Sequence, residues 1–375
     1  MNSNSDYELA AEDAASLLTP CLLVYPQVIR ENLAEAIRIA GDVARLRPHV
    51  KTHKTAEIVQ LASEAGVTKH KCATLAEASM LATCQVPDVL LAYPQIGPNL
   101  PRLAELIEAF PTTRFSTVVD SPAGLEQLEQ HFSQGDLDVL LDIDTGMHRT
   151  GITPGDAAVD LVEQIAAAPG LRFAGLHVYD GQNHQPSRRD RDEAVTELMR
   201  PVTALISTLA NLHYEVPKIV CGGTPTFPVF AELQSQTSVP IELSPGTCVL
   251  SDYNYCQDYP DMDGFRYAAL LLTRVISKTG DNRLTVDLGY KAVASDPPAN
   301  SRCHFLYPSD ARLVQQSEEH LVIATAAAEN IAIGDVLYAV PAHVCPTVAL
   351  HARLQVVEGG RLRGAWPVTA RDRLA

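Results

Sequence analysis

Arg47-Pro48-His49-Val50-Lys51-Thr52-His53-Lys54-Thr55 follows a short strand-like run, Val43 to Leu46, and precedes an amphipathic helical pattern that begins near Ala56. Ile58, Val59, Leu61 and Ala62 form the apolar side of that pattern. A basic cluster between strand and helix falls at a strand's C-terminal end, where α/β barrels place their chemistry. Pro48 disfavours helix and inner-strand pairing, so the flanking side chains project from a fixed local geometry. Lys51 lies two residues beyond His49, shares its side of an extended strand and points inward. A lysine partly desolvated beside other cations has its charged form disfavoured, which frees the amine to form a Schiff base. Lys54 competes for that role, but Lys51 is nearer the strand end. Taken alone, the run also reads as a solvated basic turn.

The surrounding chain supports the barrel. Cys21 to Tyr25 reads as a buried strand and Val28 to Ile39 as a helix. Strand-like runs then follow at Lys71 to Thr74, Val89 to Tyr93, Phe115 to Asp120, Val139 to Asp144, Phe173 to Tyr179 and Lys218 to Cys221. Helical patterns separate them, around Leu75 to Ala82, Leu100 to Ala109, Pro122 to Phe132, Asp156 to Ala167 and Ala194 to Leu212. This alternation, over about eight units, predicts an α/β fold with an N-terminal (β/α)8 TIM-type barrel.

Beyond about Tyr253 the pieces become short, strand-like and punctuated by Gly and Pro, including Ala268 to Val275, Arg283 to Asp287, Asp335 to Val340 and Val348 to Leu354. They predict a mostly β C-terminal domain. The expected division is residues 21–255 for the barrel and 256–375, with 1–20, for the β domain.

Composition narrows the function. With 46% hydrophobic and 20% charged residues the chain reads as an ordinary soluble globular protein rather than a disordered one. A net charge of −16 argues against nucleic acid or an anionic membrane as partner, so a local basic cluster suits a small anion instead. No apolar run reaches the roughly 18 residues of a membrane span. Met1 to Asp6 lacks the basic start and apolar core of a signal peptide, which predicts a cytoplasmic protein. The eight cysteines are scattered without a CxxC pair, so no disulfide framework is expected.

Three further loops carry chemistry. Asp142 to Gly151 places Arg149 just past a strand, between glycines that permit tight turns. Cys221-Gly222-Gly223-Thr224 offers backbone N–H groups and a hydroxyl suited to a phosphate. His177 to His184 contributes Tyr179, able to cover a flat ring, and His184, a candidate general acid or base. Together these ask for one ligand with an aldehyde for Lys51, a phosphate for Gly222, Gly223 and Thr224, and a phenolic oxygen for Arg149. Pyridoxal 5′-phosphate has all three. Far downstream, His343 and Cys345 stand at i, i+2 after a strand and face the same way in extended chain. Imidazole and thiolate suit Zn²⁺, with manganese or magnesium as alternatives and the remaining positions left to water or substrate. His320, after Glu318 and Glu319, is a candidate neighbour of that pair.

In order along nearly the whole chain, these motifs resemble the D-threonine aldolase and D-serine dehydratase family, fold-type III pyridoxal phosphate enzymes related to alanine racemase. The resemblance rests on Arg47 to Lys54, Asp144-Thr145-Gly146-Met147-His148-Arg149, Gly222-Gly223-Thr224, Ser244-Pro245-Gly246, Asp287-Leu288-Gly289-Tyr290-Lys291, Glu318-Glu319-His320 and His343-Val344-Cys345-Pro346-Thr347. It implies that Lys51 is the Schiff-base lysine, that Arg149 lies near the cofactor's phenolic oxygen, that Gly222 to Thr224 hold phosphate, and that His343 and Cys345 hold a divalent metal. It also implies a homodimer. The His-x-Cys resembles zinc-dependent D-serine dehydratases, whereas aldolases of the family more often show His-x-Asp. The loop from Tyr179 to His184 matches neither group cleanly.

The expected activity is therefore a lyase acting on a small β-hydroxy D-amino acid, foremost a deaminating dehydratase. The alternative is retro-aldol cleavage to glycine and an aldehyde. An amino-acid racemase has no use for the metal pair, and a non-catalytic pyridoxal phosphate carrier resembles the barrel alone, so both rank lower.

Overall fold

A computed structural model describes residues 7–133 and 137–373. The Met1 to Asp6 reading lies outside them. Strand β1 is Cys21–Val24; β2 to β8 are Lys69–Cys72, Asp88–Leu91, Arg114–Val119, Leu137–Asp142, Leu171–Val178, Ile219–Cys221 and Ile241–Leu243. Strands β9 to β16 are Ala269–Lys278, Arg283–Val286, Cys303–Phe305, Arg312–Gln316, Leu321–Ala324, Val336–Pro341, Arg353–Glu358 and Arg361–Pro367. Among the described residues β2 to β8 form a seven-stranded sheet in sequential order, and the other nine strands form a second sheet.

Every pairing in the first sheet is parallel, as helices between consecutive strands require. Its helices begin at the signals the sequence carries. Thr74 caps Leu75–Thr83, its Oγ1 accepting Glu77 N at 3.2 Å, while Glu77 Oε2 reaches back to accept Ala73 N at 2.7 Å. Ser121 and Ser187 cap Pro122–Phe132 and Arg188–Asn211 through their hydroxyls, which accept Gly124 N and Asp190 N.

The expected eighth barrel strand takes an irregular form. Val43–Arg45 is a 3-10 turn rather than a strand, and Val50–Thr52 is another. Between them Arg47 N donates to Leu243 O at 2.8 Å and Lys71 N to Pro48 O at 2.9 Å, so residues 46–49 bond to β8 on one side and β2 on the other. Pro48 has no N–H to give, which limits this segment to isolated bridges.

Cys21–Val24 corrects the expectation of a first barrel strand. It lies in the second sheet, antiparallel to β9 and parallel to β15. All of its residues are buried, and a strand covered on both faces gives the same apolar run in a parallel barrel or a sheet centre. The compact units divide accordingly: one holds residues 7–35, Thr52–Leu61 and Thr247–Arg371, the other Ala36–Lys51 and Ala62–Gly246. The leader belongs with the second sheet, Leu9 N donating to Tyr338 Oη at 3.2 Å and Ala10 N to Gly360 O at 2.8 Å.

The interior of the seven-stranded unit is layered. Leu90, Val118, Leu140, Ala174 and Val220, from five successive strands, pack in one buried cluster. Parallel register puts Lys71 on the same face as Leu90, Asp142 as His177, and His177 as Val220. The apolar layer is thus continued toward the strands' C-terminal ends by polar side chains, the usual placement of chemistry in such folds.

Candidate active site

The seven-stranded unit gathers its polar side chains around Tyr179, one residue past β6. Lys51 Nζ, Lys71 Nζ and the Arg149 guanidinium carbon lie 5.6, 5.4 and 5.2 Å from the ring centroid. These are cation–π distances, and they bring together three side chains from separate loops and strands. The ring is seated against glycines: a Cβ on Gly181 would meet Tyr179 Cε1 at 2.5 Å, and one on Gly223 would meet Cε2 at 3.5 Å. Thr145 Oγ1 donates to Tyr179 O at 2.9 Å and Gln182 Nε2 to Thr145 O at 2.8 Å, which ties the Arg149 loop to the Tyr179 loop.

Lys51 reaches this cluster from the 3-10 turn, not from the extended strand expected; its N–H donates to His49 Nδ1 at 3.2 Å. His184 lies on the exposed rim of its loop, with Nδ1 3.2 Å from Gly181 O.

The Gly222 loop has the form of an anion cradle. Gly222 adopts φ +76°, and a Cβ there would meet Phe230 Cδ2 at 3.1 Å and Phe227 Cα at 3.2 Å. Thr224, 5% exposed, accepts Gly246 N at 3.2 Å through its hydroxyl. The neighbouring Ser244, whose N–H donates to Cys221 O at 3.0 Å, keeps a buried hydroxyl oxygen without a hydrogen-bond partner. A buried unpaired hydroxyl beside two glycines fits a phosphate oxygen. With Lys51 and Arg149 placed at the Tyr179 ring, the residues present fit pyridoxal phosphate: Lys51 for the aldehyde, Tyr179 for the ring face, and Gly222, Gly223, Thr224 and Ser244 for phosphate. Arg149, 5.2 Å from the Tyr179 ring centroid, would supply positive charge on the phenolic side.

Single-residue reading missed a buried polar chain here. Asp142 Oδ1 lies 2.7 Å from His177 Nδ1, and His177 Nε2 lies 3.5 Å from Lys71 Nζ. Burial works against the Asp142 charge, but His177 outweighs it and holds this carboxyl below its ordinary range. Burial and the Lys51 charge push Lys71 down to about 7, while burial pushes Asp180 up to about 6. His177 stands in a motif quoted above, but Lys71 lies in Lys69-His70-Lys71-Cys72, where only the strand's alternation points it inward.

The other compact unit carries the candidate metal pair. Val344–Leu350 is a helix with His343 as its N-cap, so His343 and Cys345 are presented by a helix start rather than by extended chain. Pro346 falls in the first turn, where its missing N–H costs nothing. Asp252 Oδ2 accepts Val344 N at 3.0 Å and fixes that turn. Asp296 Oδ2 lies 2.5 Å from His343 Nδ1, which leaves Nε2 for a metal, the usual carboxylate–histidine arrangement. Cys345 Sγ lies 3.3 Å from Thr52 Oγ1 and 3.5 Å from Thr247 Oγ1. Burial disfavours the charged His343 ring, but Cys345 and Asp296 outweigh it and push its pKa up to about 9. A carboxylate-held imidazole and a thiol side by side fit a divalent cation with two protein ligands. His320 does not extend it: Glu318 and Glu319 pair with Lys291, and among the described residues no group of three or more His, Cys, Asp or Glu is arranged for a metal.

The alanine racemase N-terminal domain matches residues 24–239, and a putative serine dehydratase domain matches residues 268–357. A D-threonine aldolase from Arthrobacter sp is 30% identical over 94% of this chain and 92% of its own. The chain belongs to the D-threonine aldolase and D-serine dehydratase family. A D-serine dehydratase from Dictyostelium discoideum is 26% identical over 95% of this chain and 96% of its own. The crystal structure of D-threonine aldolase from Filomicrobium marinum superimposes with a TM-score of 0.86 at 28% identity, covering 95% and 96% of the two chains. Aldolases and dehydratases of this family are lyases, and so is this chain. No helix among the described residues is long and apolar enough to cross a membrane.

Proposed function

We propose that this family member is a pyridoxal phosphate- and divalent-metal-dependent lyase that dehydrates a β-hydroxy D-amino acid to a 2-oxo acid and ammonia. The observation that carries the choice of dehydration is Cys345 beside His343 and Asp296. A thiolate with a carboxylate-held imidazole favours zinc over harder ions. When bound, pyridoxal phosphate supplies an electron sink for charge released at Cα, and the metal supplies Lewis acidity toward the hydroxyl. In this reading Lys51 would hold the cofactor and its amine would take the Cα proton. Tyr179 fixes the ring plane, the Gly222 loop with Ser244 anchors the phosphate, and Arg149 balances charge at the phenolic side. Nothing in the reading requires His184. The family resemblance adds a homodimer, which sedimentation tests.

A second reading, retro-aldol cleavage, is favoured by the 30% identity to a D-threonine aldolase over nearly the full length of both chains. D-Serine separates the two. With pyridoxal phosphate and zinc supplied, dehydration gives pyruvate and ammonia; glycine and formaldehyde instead would overturn the dehydratase reading in favour of the aldolase.

A further inference from the structure

Lys71 has no part in the cofactor reading above, yet it is 2% exposed among the interior side chains of the seven-stranded unit. A buried ammonium is costly unless something compensates its charge, and its amine meets an imidazole rather than a carboxylate. The Asp142 carboxylate on His177 Nδ1, at 2.7 Å, fixes the tautomer that carries its proton there. His177 Nε2 is then the acceptor, and Lys71 Nζ donates to it at 3.5 Å. The same nitrogen lies 5.4 Å from the centroid of the Tyr179 ring, around which Lys51 is also placed. Carboxylate, imidazole and a proton-bearing group joined in that order is how proteins orient a side chain for proton transfer.

We propose that Lys71 is a second proton-transferring lysine of this site, oriented by His177 and Asp142 and acting on the same bound ligand as Lys51. The inference rests on the lyase reading above and adds a residue to it. The charged and titratable groups that act on Lys71 are Lys51, Asp142, His177, Asp180 and Cys221, with the Tyr179 ring over it. Burial and then Lys51 lower its pKa to about 7, so amine and ammonium coexist at neutral pH, the condition under which a base both takes and returns a proton. In the step itself the Nζ lone pair takes a proton from the substrate's α-ammonium group, the Cα proton being left to Lys51, and the electrons of that N–H bond stay on the substrate nitrogen. The ammonium later returns that proton to product. Nζ ends as it began and no further reactant is needed.

Two substitutions and one titration test this. Lys71→Met removes the amine; Lys71→Arg keeps a cation and a donor for His177 but cannot release a proton at working pH. Both variants are expected to unfold near the wild-type temperature, to retain pyridoxal phosphate on Lys51 after borohydride reduction, and to lose turnover by about 100-fold or more. Rescue by Lys71→Arg would overturn the proposal and leave Lys71 a structural cation. Independently of turnover, ¹⁵Nζ resonances of the cofactor-free protein are expected to include one that titrates at about 7, vanishes in Lys71→Arg, moves up in Lys51→Met and moves down in Asp142→Asn. A Lys71 resonance at the ordinary lysine value of about 10.4 would overturn it. A wild type that neither binds pyridoxal phosphate nor turns over D-amino acids, yet shows the low titration, would fault the lyase reading and not the amine.

Discussion

Arg47 and Asp88 form a two-pronged ion pair inside the seven-stranded unit, with Nη1–Oδ1 at 2.7 Å and Nη2–Oδ2 at 2.9 Å, while Arg47 Nε reaches Glu242 Oε2 at 2.6 Å. Arg47 is fully buried, so one guanidinium ties β3 and β8 to the irregular 46–49 segment. Removing one member of a buried pair leaves the others uncompensated, at a cost of about 3–5 kcal/mol. Arg47→Met is expected to lose about that much stability by urea denaturation, and Arg47→Lys to rescue little, because ammonium lacks the fork.

The same pair sets an acid limit. Burial opposes the charges of Asp88 and Glu242, but Arg47 outweighs it and holds both below the ordinary carboxylate range. A carboxylate depressed on folding contributes stability above its unfolded value of about 4 and loses it as pH falls through the lower folded value. Denaturation measured from pH 6 downward should therefore steepen below about 4 in the wild type and less so in Asp88→Asn.

Gly151 closes the loop that carries Arg149. At φ +100°, a Cβ there would sit 2.4 Å from Asp144 N, so both the backbone and the space exclude a side chain. Gly151→Ala is expected to strain the loop by about 1–3 kcal/mol and to weaken pyridoxal phosphate binding while the protein remains folded. Absorbance titration with the cofactor, alongside circular dichroism, reads both.

Asp296 offers a test of the metal pair that leaves both ligands in place. Asp296→Asn keeps an acceptor near His343 Nδ1 but removes the charge, and zinc affinity measured by competition with a chelator is expected to fall about 10–100-fold. Cys345→Ala should lose more than Asp296→Asn; equal affinity in the wild type and Cys345→Ala would exclude Cys345 as a ligand.

How far the sequence could be read followed local chemistry. Pro122–Phe132 and Asp156–Ala167 match the expected helices residue for residue, because Ser121-Pro122 and the apolar period of Ala158, Leu161, Val162 and Ile165 are local signals. Cys21–Val24 reads as a barrel strand but pairs in the other sheet, since its partners in β9 and β15 are set only by tertiary pairing. Val348 to Leu354 reads as strand, yet Val344–Leu350 is helical: β-branched residues carry weak preferences, and the Asp252 carboxylate that fixes Val344 N lies far away in sequence. Strand β8, only three residues long, left too little pattern to detect. Among the site residues, Lys51, Arg149, Tyr179 and Gly223 stood in recognisable motifs and meet around one ring. Lys71 and the unpaired Ser244 hydroxyl emerge only once the strands are side by side.

Lys51, among several lysines nearby in sequence or space, is the one proposed to carry the cofactor. Reduction of the pyridoxal phosphate-loaded protein with borohydride, followed by peptide mapping, tests it directly. A single pyridoxyl group is expected on Lys51, absent when a β-hydroxy D-amino acid is added before reduction. A pyridoxyl group on Lys54 or Lys71, or on no lysine at all, would contradict it.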